Sequence, residues 1–188
     1  PENTRFRSFE CWSRGALGLA GANAEPFRVW LRDWAADAVG PADSGTPPMR
    51  LRANQDGAGL DLRLQPGKPP VLEGDHGLSR KSAEPGNASY YYSLPRMPAA
   101  GTIGLGGQTF AVTGAAWMDR EWSTSSLGRD QIGWDWFALQ LSDRSEIMLY
   151  QLRRQNGAAD PSADPASSGT VIGPAGEVRP LGLGDFSL

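Results

Sequence analysis

Two short segments hold most of the residues with chemistry to offer, Trp117-Met118-Asp119-Arg120-Glu121-Trp122 and Gly133-Trp134-Asp135-Trp136-Phe137. Of the seven tryptophans, three fall within the fifteen positions from Trp122 to Trp136. On a strand, where side chains alternate, Trp134 and Trp136 share one face and Asp135 and Phe137 the other. Asp119 and Glu121 likewise share a side, opposite Arg120 and Trp122. A carboxyl enclosed by rings in a cavity is desolvated, which raises its pKa and leaves a proton to donate. Asp119, Glu121 and Asp135 are therefore the candidate acids. The same residues also admit a plainer role, in which Asp119, Arg120 and Glu121 form an ion-pair and hydrogen-bond network that fixes a barrel rim.

Other reactive types find less support. His76, the one histidine, sits in Glu73-Gly74-Asp75-His76-Gly77 and reads first as a turn residue. Ser79 follows Gly77-Leu78 and precedes Arg80, without the second glycine of a nucleophile elbow. One cysteine, Cys11, excludes an internal disulfide, and with a single histidine it argues against zinc. Gly15 to Gly21 and Gly101 to Gly107 are glycine-rich, but neither opens a helix nor carries the Lys-Ser/Thr of a phosphate loop. No cofactor is expected.

The elements that must position these residues are short strands. The chain has 188 residues with 24 glycines and 15 prolines, which disfavours long helices. Phe27 to Trp34 alternates as one strand. Asp37 to Pro48 is a loop by composition, and Met49 to Ala53 and Leu60 to Leu64 flank an Asp56-Gly57 hairpin turn. Pro66 to Gly86 reads as a long irregular connection. Ala88 to Leu94 carries Tyr90-Tyr91-Tyr92. Thr102 to Leu105 and Gln108 to Ala116 meet at Gly106-Gly107. Trp134 to Leu141 pairs with Glu146 to Leu152, and Thr170 to Ile172 with Glu177 to Leu181. About ten strands in antiparallel pairs close most economically into an all-β barrel with a cavity for a small ligand. Trp30, Tyr91, Trp122, Trp134 and Trp136 would line it, with Arg120 beside them.

The net charge of -3 and the absence of any basic run give nucleic acid no electrostatic footing. No run approaches eighteen apolar residues. A start at Pro1, without an initiator Met or signal-like segment, is the expectation for a trimmed piece of a longer gene product.

Taken in order, Arg28 to Trp34, Gly77-Leu78-Ser79-Arg80-Lys81, Ala88 to Ser93 and the two tryptophan motifs resemble the AttH-like proteins. That lipocalin-like family includes the carotenoid 1,2-hydratases (hydroxyneurosporene synthases). The resemblance runs from about Ser13 to Leu181, and the tryptophan motifs are its most specific part. It implies a lipocalin-like (calycin) barrel over residues 1–184, the first of two, with 185–188 starting the second. It also implies an elongated apolar or isoprenoid-like ligand, an association with ABC-transporter components and a periplasmic or secreted setting. Many relatives are labelled predicted secreted hydrolases. In the hydratase branch an acid protonates a double bond and water captures the cation. Arg120 stands where that branch has a histidine, and an arginine stays protonated at neutral pH. The second barrel of the full-length chain is the implied partner.

Overall fold

The computed structural model describes residues 8–42, 45–124, 127–155 and 164–188. Asp43 and Ser44, inside the expected loop, lie outside the described residues. Among those described there are thirteen strands and no helix, so the all-β antiparallel class expected from the sequence is the one observed. The chain divides into two compact units, one of Pro1–Pro66 with Pro98–Ala115 and the other of Gly67–Met97 with Ala116–Leu188.

In the first unit β1 (Ala20–Asn23), β2 (Arg28–Leu31), β3 (Trp34–Ala38), β4 (Met49–Gln55) and β5 (Ala58–Leu64) are neighbours in chain order. Next to β5 runs the Ala99–Leu105 part of β8 (Ala88–Leu105), and β9 (Gln108–Trp122) pairs with β8. Asp56 and Gly57 take φ of 49° and 78°, and Gly106 and Gly107 take 59° and 82°. Two consecutive left-handed residues match the right-handed twist of the flanking strands, so both expected hairpins form. The segment from Phe27 to Trp34 differs from the single strand its alternation suggests. Arg32 adopts φ 56°, and the chain reverses so that Leu31 faces Trp34 across a tight turn. Gly101 pairs with Leu62, and a Cβ there would stand 2.1 Å from the Asp61 carbonyl oxygen, so only glycine fits.

β8 is longer than expected, because Ala88–Leu94 and Thr102–Leu105 are parts of one strand of 18 residues. Pro95 and Pro98 lack N–H groups but keep their acceptors: Gln140 Nε2 donates to the Pro95 carbonyl at 2.8 Å, and the Gln65 amide to that of Pro98 at 2.8 Å.

In the second unit β6 (Val71–Leu72) and β7 (Leu78–Arg80) pair with the first part of β8, inside the stretch expected to be irregular. A second sheet runs β10 (Gln131–Gln140), β11 (Glu146–Arg154), β12 (Ser168–Ile172) and β13 (Val178–Leu181) in that order. Tyr91 of β8 packs with Met148, Tyr150 and Leu152 of β11, and Trp117, Leu127 and Ala166 close around them. The apolar run Met148-Leu149-Tyr150 is buried on both strand faces.

One end of this unit is fixed by a buried charge cluster. Glu146 has no solvent exposure. Lys68 Nζ donates to it at 2.6 Å, to the Arg144 carbonyl at 2.6 Å and to the Gly173 carbonyl at 2.5 Å, using all three of its hydrogens. Arg96 Nε donates to the other Glu146 oxygen. Replacing Lys68 by Met leaves Glu146 half-compensated and removes the donor that joins it to the Arg144 and Gly173 carbonyls. We expect urea unfolding to show a loss of about 3 kcal/mol, and an unchanged midpoint would show the cluster to be energetically neutral.

Candidate functional site

The second tryptophan motif lies on β10 and the first at the end of β9; alternation holds for Trp134, Asp135 and Trp136, whereas at the end of β9 Glu121 and Trp122, expected on opposite faces, both reach the same cavity. A cavity of about 200 Å³ is lined by Lys81, Tyr91, Glu121, Trp122, Ser123, Trp134, Trp136, Tyr150 and Leu152, all of the second unit. Its ring walls are open to solvent, with Trp122 52%, Trp134 51% and Trp136 44% exposed. Trp122 is held from outside by Tyr90, at 5.8 Å between ring centres, and by Tyr92, edge-on at 6.3 Å. Trp136 Nε1 donates to the Tyr91 hydroxyl at 3.2 Å.

The polar corner of the cavity is built on Lys81. Its Nζ donates to Ser79 Oγ at 3.1 Å and lies 2.7 Å from a Glu121 oxygen. It also sits over the Tyr150 ring at 4.3 Å and the Tyr91 ring at 5.6 Å. Ser89 donates to the same Glu121 oxygen, and Ser79 and Tyr150 are 3.1 Å apart. Ser79 is thus a buried linker behind Lys81 and does not line the cavity.

Behind Tyr91 lies a second polar group. Ser93 Oγ is 2.9 Å from Glu73 Oε1 and 2.6 Å from Asp119 Oδ1, and Trp117 Nε1 donates to that Asp119 oxygen at 2.9 Å. Thr170 donates to the other Glu73 oxygen. Burial pushes the Glu73 carboxyl above its ordinary value, with Asp119 nearby adding to the rise, against the hydrogen bonds from Thr170 and Ser93. Burial, then the charge of Asp119, raises the Tyr91 hydroxyl in the same sense.

Of the residues singled out in the sequence, Tyr91, Glu121, Trp122, Trp134 and Trp136 come together at the cavity. Asp119 faces the same interior through Ser93 but does not line the cavity. Asp135 points to the other face of β10, where it pairs with Arg153 at 3.3 Å. Arg120 is exposed on the face of β9 opposite Asp119. Trp30 belongs to the first unit: Arg28 stands 4.8 Å over its ring, and its Nε1 donates to the Gly18 carbonyl at 2.8 Å. His76 is 96% exposed at φ 50°, in the turn that joins Asp75 to Leu78. Lys81, Tyr150, Ser93 and Glu73 were not singled out. Period-two counting back from Lys81 would have put Ser79 beside it, and Ser93 lies two residues beyond Tyr91.

Glu73 makes stability depend on pH in a definite direction. Between its ordinary value of 4.5 and its raised folded value, the folded chain holds a proton that the unfolded chain has lost. Unfolding then releases a proton, so stability falls as pH rises through that window. Urea midpoints measured across this range should decline in the wild type and flatten in Glu73→Gln; parallel curves would overturn the assignment.

A family model described as AttH-like matches residues 1–188, and the chain belongs to that family. Its all-β fold is the lipocalin-like one that the sequence resemblance implies. It is similar to the crystal structure of a Nitrosomonas europaea protein assigned as an AttH, with 32% identity and a TM-score of 0.72 over 84% of this chain and 46% of that one. It also shares its fold with kievitone hydratase from Nectria haematococca, with 18% identity and a TM-score of 0.61 over 82% of this chain and 45% of that one. The chain therefore spans less than half the length of either solved structure. No curated protein matches.

Proposed function

We propose that this AttH-like protein binds an apolar, isoprenoid-like or aromatic compound end-first in the cavity of its second unit. The carrying observation is the set of three half-exposed indoles, Trp122, Trp134 and Trp136, around a cavity whose polar groups gather at Lys81 and Glu121. Size limits what enters. An apolar protein cavity of roughly 150 Å³ takes up one benzene, so about 200 Å³ accepts one ring or one prenyl-sized end group. The rest of an elongated ligand lies outside, along the exposed rings. Lys81 and Glu121 form a paired corner, which suits a hydroxyl or other neutral oxygen better than a bare charge. An extracytoplasmic role beside an ABC transporter, with the second barrel of a full-length chain as partner, belongs to the same proposal.

A second reading, acid-catalysed addition of water to a double bond, is favoured by one observation: Glu121 lines the cavity and Asp119 faces the same interior. The rings would stabilise a carbocation as they do other cations. The fold shared with a hydratase is compatible with this reading and adds nothing on the reaction.

Titration with geraniol or a short aromatic alcohol, followed by tryptophan fluorescence, tests binding. The emission should be quenched and shifted to the blue as the rings lose water, and Trp136→Ala should weaken affinity roughly tenfold. An emission indifferent to every such ligand would remove the binding proposal. Water addition, detected as a new tertiary alcohol and abolished by Asp119→Asn or Glu121→Gln, would favour the second reading.

A further inference from the structure

The trio behind Tyr91 presents a counting problem. Ser93 has no solvent exposure, yet its hydroxyl oxygen lies within hydrogen-bond reach of both Glu73 and Asp119. A serine hydroxyl has one hydrogen. It can donate to one carboxylate only, and the other contact is a hydrogen bond only if that carboxyl carries a hydrogen and donates it to Oγ. With both carboxyls ionised, one anionic oxygen would face the lone pairs of Ser93.

The surroundings decide which carboxyl holds the hydrogen. Asp119 Oδ1 is the better-served anion, since it also accepts the Trp117 indole N–H. Glu73 is 1% exposed and receives only the Thr170 hydroxyl on its other oxygen, a contact that a protonated acid accepts equally well at its carbonyl. The groups that face Glu73 are Ser93 and Tyr91 from β8, Asp119 from β9, Thr170 from β12 and Lys81 after β7. Lys81 is the one cation among them, and its Nζ is engaged by Glu121 and Ser79.

We propose that Glu73 and Asp119 share one proton that rests on Glu73 and passes to Asp119 through Ser93, making the trio a proton-exchange site next to the cavity. In the transfer the Glu73 O–H bond breaks as Ser93 takes that hydrogen, and the original Ser93 hydrogen bonds to Asp119. The sum is a Glu73 carboxylate and an Asp119 acid, with no other reactant. Tyr91, which lines the cavity, has its hydroxyl in the field of both carboxyls, so a change of proton position is felt where a ligand would sit. The exchange does not depend on what fills the cavity.

The test is a pH titration of the intact chain, carboxyl-labelled with carbon-13 and read by NMR. The Glu73 signal, assigned by its loss in Glu73→Gln, should keep the position of a protonated acid at pH 7. In Asp119→Asn, where the like charge is gone, Glu73 should release its proton at roughly tenfold higher acidity or more. An ionised Glu73 at pH 7 in the wild type, or a Glu73 titration unmoved by Asp119→Asn, would overturn the proposal. Glu73→Gln copies the shape of the neutral acid and does not line the cavity, so its ligand-induced fluorescence change should match the wild type. Failure of ligand binding and failure of proton sharing are thereby read separately.

Discussion

Among the described residues, the interior of the second unit encloses three carboxyls with almost no exposure, Glu146, Glu73 and Asp164, and the first two are stabilised in opposite ways. A buried charge is tolerated only when paired or neutralised. Glu146 is met by two cations, Lys68 and Arg96, and the same lysine ties together the carbonyls of the 142–145 and 173–176 turns. Glu73 is met by hydroxyls alone on its two oxygens, and the Asp119 carboxyl lies on the far side of Ser93. One end of the interior is therefore locked by ions, while the other is held by hydroxyl groups. The cavity lies near the second end, against Tyr91.

That division also separates stability from chemistry within the strand pair β10 and β11. Glu146 opens β11 at the ionic end, and Tyr150 and Leu152 reach the cavity farther along the same strand. The buried run between them supplies the apolar contacts that keep the two faces together. The cavity rings, in contrast, are half wet. Rings left half wet have apolar area still to bury, about 25 cal/mol for each Å² covered.

Much of this arrangement was legible because the side-chain period of a strand is fixed. Trp134 and Trp136 on one face with Asp135 on the other, and Asp119 with Glu121 opposite Arg120, follow from counting residues, and the structure keeps each pairing. Hairpins with left-handed turn residues, Asp56-Gly57 and Gly106-Gly107, were equally readable. Legibility failed at the turn after Leu31. Arg32 in the left-handed region splits an apparently continuous strand, and no residue type there announces it. It failed again for Glu73, Ser93, Lys81 and Tyr150, because those residues are brought together by long-range pairing of β7, β8, β11 and β12, and local pattern carries no information on such contacts.

β10 stands at the end of its sheet, and among the described residues it pairs only with β11. It carries Ile132, Trp134, Trp136, Phe137 and Leu139, all substantially exposed. A border strand with backbone donors and acceptors on offer and apolar side chains on both faces is a template for strand addition from another chain. At high concentration such a border favours intermolecular β-pairing and precipitation, so solubility of this chain depends on how that margin is covered.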